Sequence, residues 1–295
     1  MIQQTVDGVS FRMAQAHDFS FLARFGRVFR VLDDQDSGNL CFGLAGERGR
    51  LFLKFAGAQT ARAGVSPEEA VENLRAAARV ARDLAHPRLL PLLWAGSRAG
   101  FAGQHRTPLL WAGEIGGGYA AVFPWTDAVC MGRMYPEQRA AFFALPLDAR
   151  LRVEDDLIDF LLCTHARGYV AVDFYDGSVL YDRAAGHALF CDVDLFARKP
   201  FVNRMGRLWG SSRFMAPEEF ALGAQIDERT NVYLAGCMAF ALAGDERDRT
   251  RETWQAGEAL YRVASRAAAP ERETRYPTLS SLRADWLRAC AEEGF

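Results

Sequence analysis

The chain has 295 residues and is 50% hydrophobic, ample for a large two-lobed domain or two domains and more than one simple core requires. Lys and Arg number 35 against 37 Asp and Glu, a balance that excludes a broad field drawing nucleic acid or an anionic membrane, so any partner is chosen by a local site. The six cysteines, Cys41, Cys130, Cys163, Cys191, Cys237 and Cys290, show neither a C-x-x-C pair nor zinc-ligand spacing, which excludes a secreted disulfide framework.

The N-terminal MIQQTVDGVSFRMAQ lacks a basic region followed by an apolar run. No stretch approaches the roughly 18 apolar residues of a membrane span, and the expected location is the cytoplasm. Short β-rich runs follow: RVFRVL (27–32), LCFGLAG (40–46) and LFLKFAG (51–57), separated by DDQDSGN and ERG, as in an antiparallel meander. Ser66-Pro67-Glu68-Glu69 combines a capping hydroxyl, proline in the first turn and glutamate three residues after the cap, and predicts a helix from about Pro67 to Leu84. Val71, Leu74, Ala78, Ala81 and Leu84 give that helix one apolar face, and His86-Pro87 ends it. LLPLLWAG (89–96) and YAAVFPW (119–125) are expected to complete a five-stranded sheet carrying this one helix.

Beyond Trp125 the periodicity turns helical. Asp148 is placed to cap a run whose Leu151, Leu157, Ile158, Leu161 and Leu162 form a stripe, closed by Gly168. Residues 169–195 are short apolar pieces broken by Asp173, Asp176-Gly177, Asp182 and Gly186, which suits small hairpins presenting carboxylates at their ends. Helices are expected near 228–243, 251–266 and 278–291, so the fold class is α+β, a small antiparallel sheet followed by a mostly helical half.

HARGYVAVDFYDGSVLYD (165–182) followed by FCDVDLF (190–196) resembles the catalytic loop and metal-binding segment of eukaryotic-type serine/threonine protein kinases. GSSRFMAPEE (210–219) resembles the substrate-docking end of their activation segment, NVYLAGCMAFALAG (231–244) their buried central helix, and Arg275 before Tyr276-Pro277 the arginine that pairs with the glutamate at Glu218. With Lys54 and His86-Pro87, these motifs run in the family's order over about residues 25 to 290. The resemblance implies a bilobal protein-kinase-like fold, with residues 1–24 an N-terminal extension packed on a small lobe (25–125) and 126–295 a large lobe.

It also implies ATP and Mg²⁺ or Mn²⁺ as cofactors and a protein or peptide as substrate. A loose phosphoryl-transfer transition state needs neutralised charge, in-line positioning and a proton acceptor. Lys54 would supply a cation to the phosphates, Asp173 would accept the proton of the attacking hydroxyl, and Asp192 would hold the metal. Gly38, Asn39, Leu40 and the hinge Phe123-Pro124-Trp125 would contact the nucleotide, with the Trp125 amide available to adenine. Ser211 falls where the family's docking segment approaches the catalytic aspartate.

Departures from the family pattern keep other readings open. The glycine-rich loop is reduced to DDQDSGNLCFG, and Asp33, Asp34 and Asp36 would repel a triphosphate. The glutamate expected opposite Lys54 is Ala77; Glu72 and Glu69 lie one to two turns earlier, with Glu72 the candidate partner, and Val172, Tyr175 and Ser178 replace the catalytic loop's arginine, lysine and asparagine. Asp194, in DVD, or Ser178 would then complete the metal site. The alternatives are a pseudokinase acting as a binding module and a small-molecule phosphotransferase. A groove beside Ser211 and Phe214 would favour a protein substrate, an acidic pocket beyond Asp173 a metabolite.

Overall fold

The computed structural model describes residues 1–34, 37–47, 49–90 and 111–295. They form two compact units, Met1–Thr126 and Asp127–Phe295. The class is α+β, with six α-helices and several small antiparallel sheets among the described residues.

The first unit opens with a hairpin, β1 (Ile2–Val6) and β2 (Val9–Met13), which turns at Asp7 and Gly8 with φ of 52° and 88°. Next come β3 (Arg27–Leu32), β4 (Leu40–Gly46), β5 (Gly49–Ala56), α1 (Pro67–Leu84), β6 (Ala112–Ile115) and β7 (Gly118–Pro124). The sheet order is β3-β4-β5-β7-β6, antiparallel throughout. Side chains alternate across it. Leu40, Phe42, Leu44, Leu53 and Phe55 pack on one face with Phe11, Met13, Phe19 and Leu22 from the N-terminal segment. Ala56, Tyr119 and Ala121 on the other face pack on Ala70, Leu74 and Ala78 of α1.

Helix α1 begins as its sequence predicts: Ser66 Oγ accepts the Glu69 amide at 3.2 Å, and Pro67 occupies the first turn. The fifth strand of this sheet among the described residues is β6, whose AGEI is too short and glycine-broken to signal a strand; the run 89–96, expected as a strand, lies from residue 91 on outside the described residues.

In the second unit β8 (Val129–Cys130), α2 (Pro136–Phe143), α3 (Leu147–Ala166) and β9 (Tyr169–Val170) are followed by the hairpin β10 (Val179–Asp182) and β11 (His187–Phe190). Then come β12 (Ala197–Arg198), paired with β9, and β13 (Phe201–Val202), paired with β14 (Gln225–Ile226). Helices α4 (Glu228–Ala243), α5 (Glu258–Ala267) and α6 (Leu279–Glu293) complete the unit.

Every residue of α4 from Thr230 to Ala243 is buried, so it is the axis of this unit. Gly236 makes that possible, because a Cβ there would lie 2.5 Å from the Ala268 backbone nitrogen just beyond α5. Two boundaries move. Asp148 does not cap α3; the helix starts one residue earlier after Pro146, and Asp148 sits in the first turn, paired with Arg152 at 2.9 Å. Helix α5 starts at Glu258 and not near 251, since Gly257 forms its cap and its carbonyl accepts the Trp254 indole N–H at 3.0 Å.

Candidate functional site

The second unit builds its site on α4. After β9 the chain enters a loop whose Ala171 is held by Asn231 of α4: the amide Oδ1 accepts the Ala171 N–H at 3.0 Å, and Nδ2 donates to its carbonyl at 2.9 Å. Val170, Ala171 and Val172 are buried, and Asp173 emerges at the end of this clamped stretch with φ of 55°. That left-handed conformation is disfavoured for most L-residues and is best tolerated by Asp and Asn. Asn231 was not among the expected site residues. It follows Glu228, Arg229 and Thr230 in a polar first turn, so no local pattern sets it apart.

The second carboxylate arrives on the opposite strand of the β10–β11 hairpin. Past β11 the Cys191 amide donates to the Ser178 carbonyl at 3.0 Å, tying the two loops together, and Asp192 follows with φ of 62° and an exposed side chain. Tyr175 stands by both: burial, then Asp192, then Asp173, push its phenol above the ordinary tyrosine range. Asp173 and Asp192, far apart in sequence pattern, therefore act on one group.

Ser178, expected as a metal ligand, is 0% exposed: its hydroxyl is buried without a hydrogen-bond partner among the described residues, while its carbonyl braces the Asp192 loop. The donors left for a metal are the exposed Asp192 and the half-buried Asp194. No cluster of three His, Cys, Asp or Glu suited to a metal occurs among the described residues. Two carboxylates are hard oxygen donors that fit Mg²⁺ completing its shell with phosphate and water, and do not make an all-protein cage.

The segment 210–219 is anchored on both sides of this loop. Arg213 binds Asp176 through two bonds of 2.8 and 2.9 Å, and Arg139 reaches the same carboxylate at 3.2 Å, so the buried Asp176 is a structural anion. Glu246 joins Arg139 at 3.4 Å and Arg213 at 3.0 Å, and also pairs with Arg133. The expected meeting of Glu218 and Arg275 is present as a bidentate pair, at 2.7 and 3.0 Å. A Cβ on Gly210 would stand 3.5 Å from the Asp173 Cα, which places this segment against the candidate base. Between them lies a small pocket whose lining includes Asp173, Ser211, Phe214, Glu219, Thr230 and Asn231. It has room for no more than about one water, so it is neither a peptide groove nor a metabolite pocket.

Glu219 is a second residue that sequence reading passed over. It is 5% exposed, accepts the Ala216 N–H at 2.6 Å, and is pushed up to about 7 by burial, then by Glu218 and Asp173, against the lowering by Arg275. A carboxyl whose folded pKa is raised stabilises the fold below its unfolded value near 4.5 and loses that contribution as pH rises through about 7. Glu219→Gln keeps the acceptor for Ala216 and removes the titration. The variant is expected to gain about 2–3 kcal/mol over wild type between pH 5 and pH 8, read from urea midpoints at the two pH values. Equal pH slopes in both proteins would show that Glu219 does not titrate in this window. Glu154 of α3, which burial and then Asp155 push well above the ordinary range, contributes a slope of the same sign to both proteins.

In the first unit Lys54 lies on β5 opposite Ala121 and two residues before Ala56, so it points to the face that carries α1. Ala77 is buried on α1; Glu72 and Glu69 are exposed, and Glu72 adds to the field of Arg75, which pairs with Glu114. Gly38 has φ of 76° and closes on Ala70 and Val65, within 3.1–3.2 Å of where its Cβ would be, leaving no room there for a side chain. Asn39 is buried, and its Oδ1 has no hydrogen-bond partner among the described residues.

Two candidate nucleotide contacts are corrected. Leu40 is fully buried among Phe42, Phe55 and their neighbours, because strand alternation turns it into the core. The Trp125 amide donates to the Arg50 carbonyl at 3.0 Å, continuing the β5–β7 ladder past Pro124, which has no N–H to give. The Trp125 ring packs on Phe29 at 4.8 Å, and Phe123 lies half-buried against the α1-side cluster. The aspartates expected to repel phosphate are neutralised in part: Asp33 accepts the backbone and guanidinium N–H of Arg12 at 2.7 and 3.2 Å, and Asp34 pairs with Arg62 at 2.8 Å. Asp36 lies outside the described residues.

No protein-family model matches this chain, and no curated protein matches it. No helix among the described residues is long and apolar enough to cross a membrane.

Proposed function

We propose that the chain is an ATP-dependent phosphotransferase with a bilobal protein-kinase-like fold, acting on serine or threonine of a protein. What carries the reading is the pair Asp173 and Asp192, each held at positive φ on loops that the Ser178–Cys191 bond ties together, both acting on Tyr175. Conformations that cost energy persist where the surrounding structure over-determines them, and functional sites are where they gather. Asp173 orients the attacking hydroxyl and takes its proton; Asp192 and Asp194 hold Mg²⁺, which neutralises charge on the phosphates when bound. Lys54 supplies the fixed cation that the sequence resemblance assigns to it.

A binding module without catalysis is favoured by one specific finding. Leu40 and the Trp125 amide, both candidate nucleotide contacts, are used inside the fold. Thermal stability separates the readings. With ATP at about 100 times its dissociation constant, specific binding adds about 2.7 kcal/mol, and the rise in melting temperature is expected to need Mg²⁺ or Mn²⁺ and to shrink in Lys54→Met and Asp192→Asn. A folded protein that shows no shift at saturating nucleotide would reject the phosphotransferase.

A further inference from the structure

Five of the eight large hydrophobic residues exposed in the second unit fall within 21 residues of one another, Val202, Met205, Trp209, Phe220 and Leu222, between 41% and 74% exposed. Two limbs of chain present them. Asn203, itself 0% exposed, fastens the limbs: its amide nitrogen donates to the Glu219 and Gly206 carbonyls at 3.0 Å, its Oδ1 accepts the Met205 and Gly206 amides, and its backbone bonds Gly223 and Ala224. Leu208 N–H donates to the Glu219 carbonyl at 2.9 Å. The inner residues Phe201, Leu208 and Ile226 pack with Val170, Val172 and Met215. The two limbs that carry the exposed side chains are thus held together and packed from beneath, and apolar side chains gathered on such a support mark an interaction surface.

The charge beside it has one sign. Residues 198–209 contain Arg198, Lys199, Arg204 and Arg207 and no Asp or Glu. Lys199 turns back to the His165 carbonyl at 2.9 Å, and Arg198 lies over Tyr169. Arg204 and Arg207 remain exposed; the Arg207 guanidinium is held on this face by stacking 5.7 Å from the Phe220 ring centroid and by donating to the Leu208 and Gly210 carbonyls at 3.3 and 3.2 Å. On the other limb Glu218 is taken up by Arg275, and Glu219 is buried. A second copy docked face to face by a two-fold axis would set these arginines against their own equivalents.

We propose that this face docks a segment of a partner protein in which aromatic or aliphatic side chains alternate with carboxylates. The hydrophobic side chains cover Trp209, Met205 and Leu222, and the carboxylates meet Arg204 and Arg207. The inference goes beyond phosphotransfer and stands without it, since no nucleotide is involved.

The test pans a display library of random 12-residue peptides against the immobilised full chain, with Trp209→Ala and Arg204→Glu/Arg207→Glu as parallel targets. All three substituted residues are exposed, and melting temperatures confirm that the variants fold. Enriched peptides are expected to combine acidic with aromatic or aliphatic residues. In fluorescence anisotropy they are expected to bind at least about tenfold more weakly to either variant and to lose affinity as salt rises. Several outcomes overturn the proposal: no enrichment, enrichment of basic or uncharged peptides, or equal binding to the variants. Concentration-dependent self-association abolished by the same substitutions assigns the face to a second copy. Binding confined to vesicles containing phosphatidylserine assigns it to a membrane, and either of these results also overturns it.

Discussion

Arg275→Met is expected to destabilise the second unit by about 3–5 kcal/mol. All five guanidinium donors are in use. Nη1 donates to Glu218 and to the Arg229 carbonyl, Nη2 to Glu218 and the Pro270 carbonyl, and Nε to the Ala269 carbonyl at 2.7 Å. The side chain is 0% exposed and stacks 4.7 Å from the Tyr233 ring centroid, so it ties the end of segment 210–219 to the central helix α4 and to the chain after α5. Removing it takes the bidentate partner from Glu218, where burial raises the carboxyl's pKa and Arg275 lowers it back below the ordinary range, and leaves only Arg272 at 3.1 Å and the Thr230 hydroxyl at 2.9 Å. Arg275→Lys is expected to recover only part, because one ammonium cannot fill five fixed directions. Urea unfolding with an unchanged slope reads the loss, and a cost under about 1 kcal/mol would show that the pair contributes little. The double variant Glu218→Gln/Arg275→Met should cost less than the two single variants summed, since the two residues share one interaction.

This pair was legible in the sequence because both partners lie in motifs whose order is preserved, Ala216-Pro217-Glu218 and Arg275-Tyr276-Pro277. Helix α1 was legible to the residue, because Ser66 and Pro67 mark its start and His86-Pro87 its end, all through local backbone chemistry. What failed to show was decided by tertiary partners. Leu40 opens the strand-like run LCFGLAG and, following Gly38-Asn39, reads as a nucleotide contact, yet the register with Phe55 turns it into the core. The Trp125 amide looks available after a proline until Arg50 is brought opposite it by the β5–β7 pairing. Asp176 and Arg213 lie 37 positions apart with no local pattern linking them, and only the fold makes them a buried pair. Asn231 and Glu219 have ordinary local patterns; their roles come from Ala171 and Asp173, which α4 and the segment 210–219 bring to them.

Asp173→Asn is expected to lower phosphate transfer by about 10²–10⁴-fold while leaving the metal-dependent thermal shift with ATP in place. Asparagine is the informative substitution for a conformational reason. Asp173 sits at φ of 55°, a region that Asn enters with little strain, whereas Ala there would add a backbone cost of about 1 kcal/mol and blur the readout. The Ala171 clamp by Asn231 is untouched, so the loop keeps its position and only the proton acceptor is lost. Asp192→Asn, at φ of 62°, is conformationally matched in the same way but removes a carboxylate from the metal, so it should lose the thermal shift and the transfer together. Transfer is followed with γ-labelled ATP, to the chain itself and to a mixed serine/threonine peptide pool. Asp173→Asn retaining activity within about twofold of wild type would remove Asp173 from the chemistry. The two variants divide the roles: a base is needed after nucleotide has bound, a metal ligand before, and only an arrangement that uses both carboxylates yields one variant that binds without turnover and one that does neither.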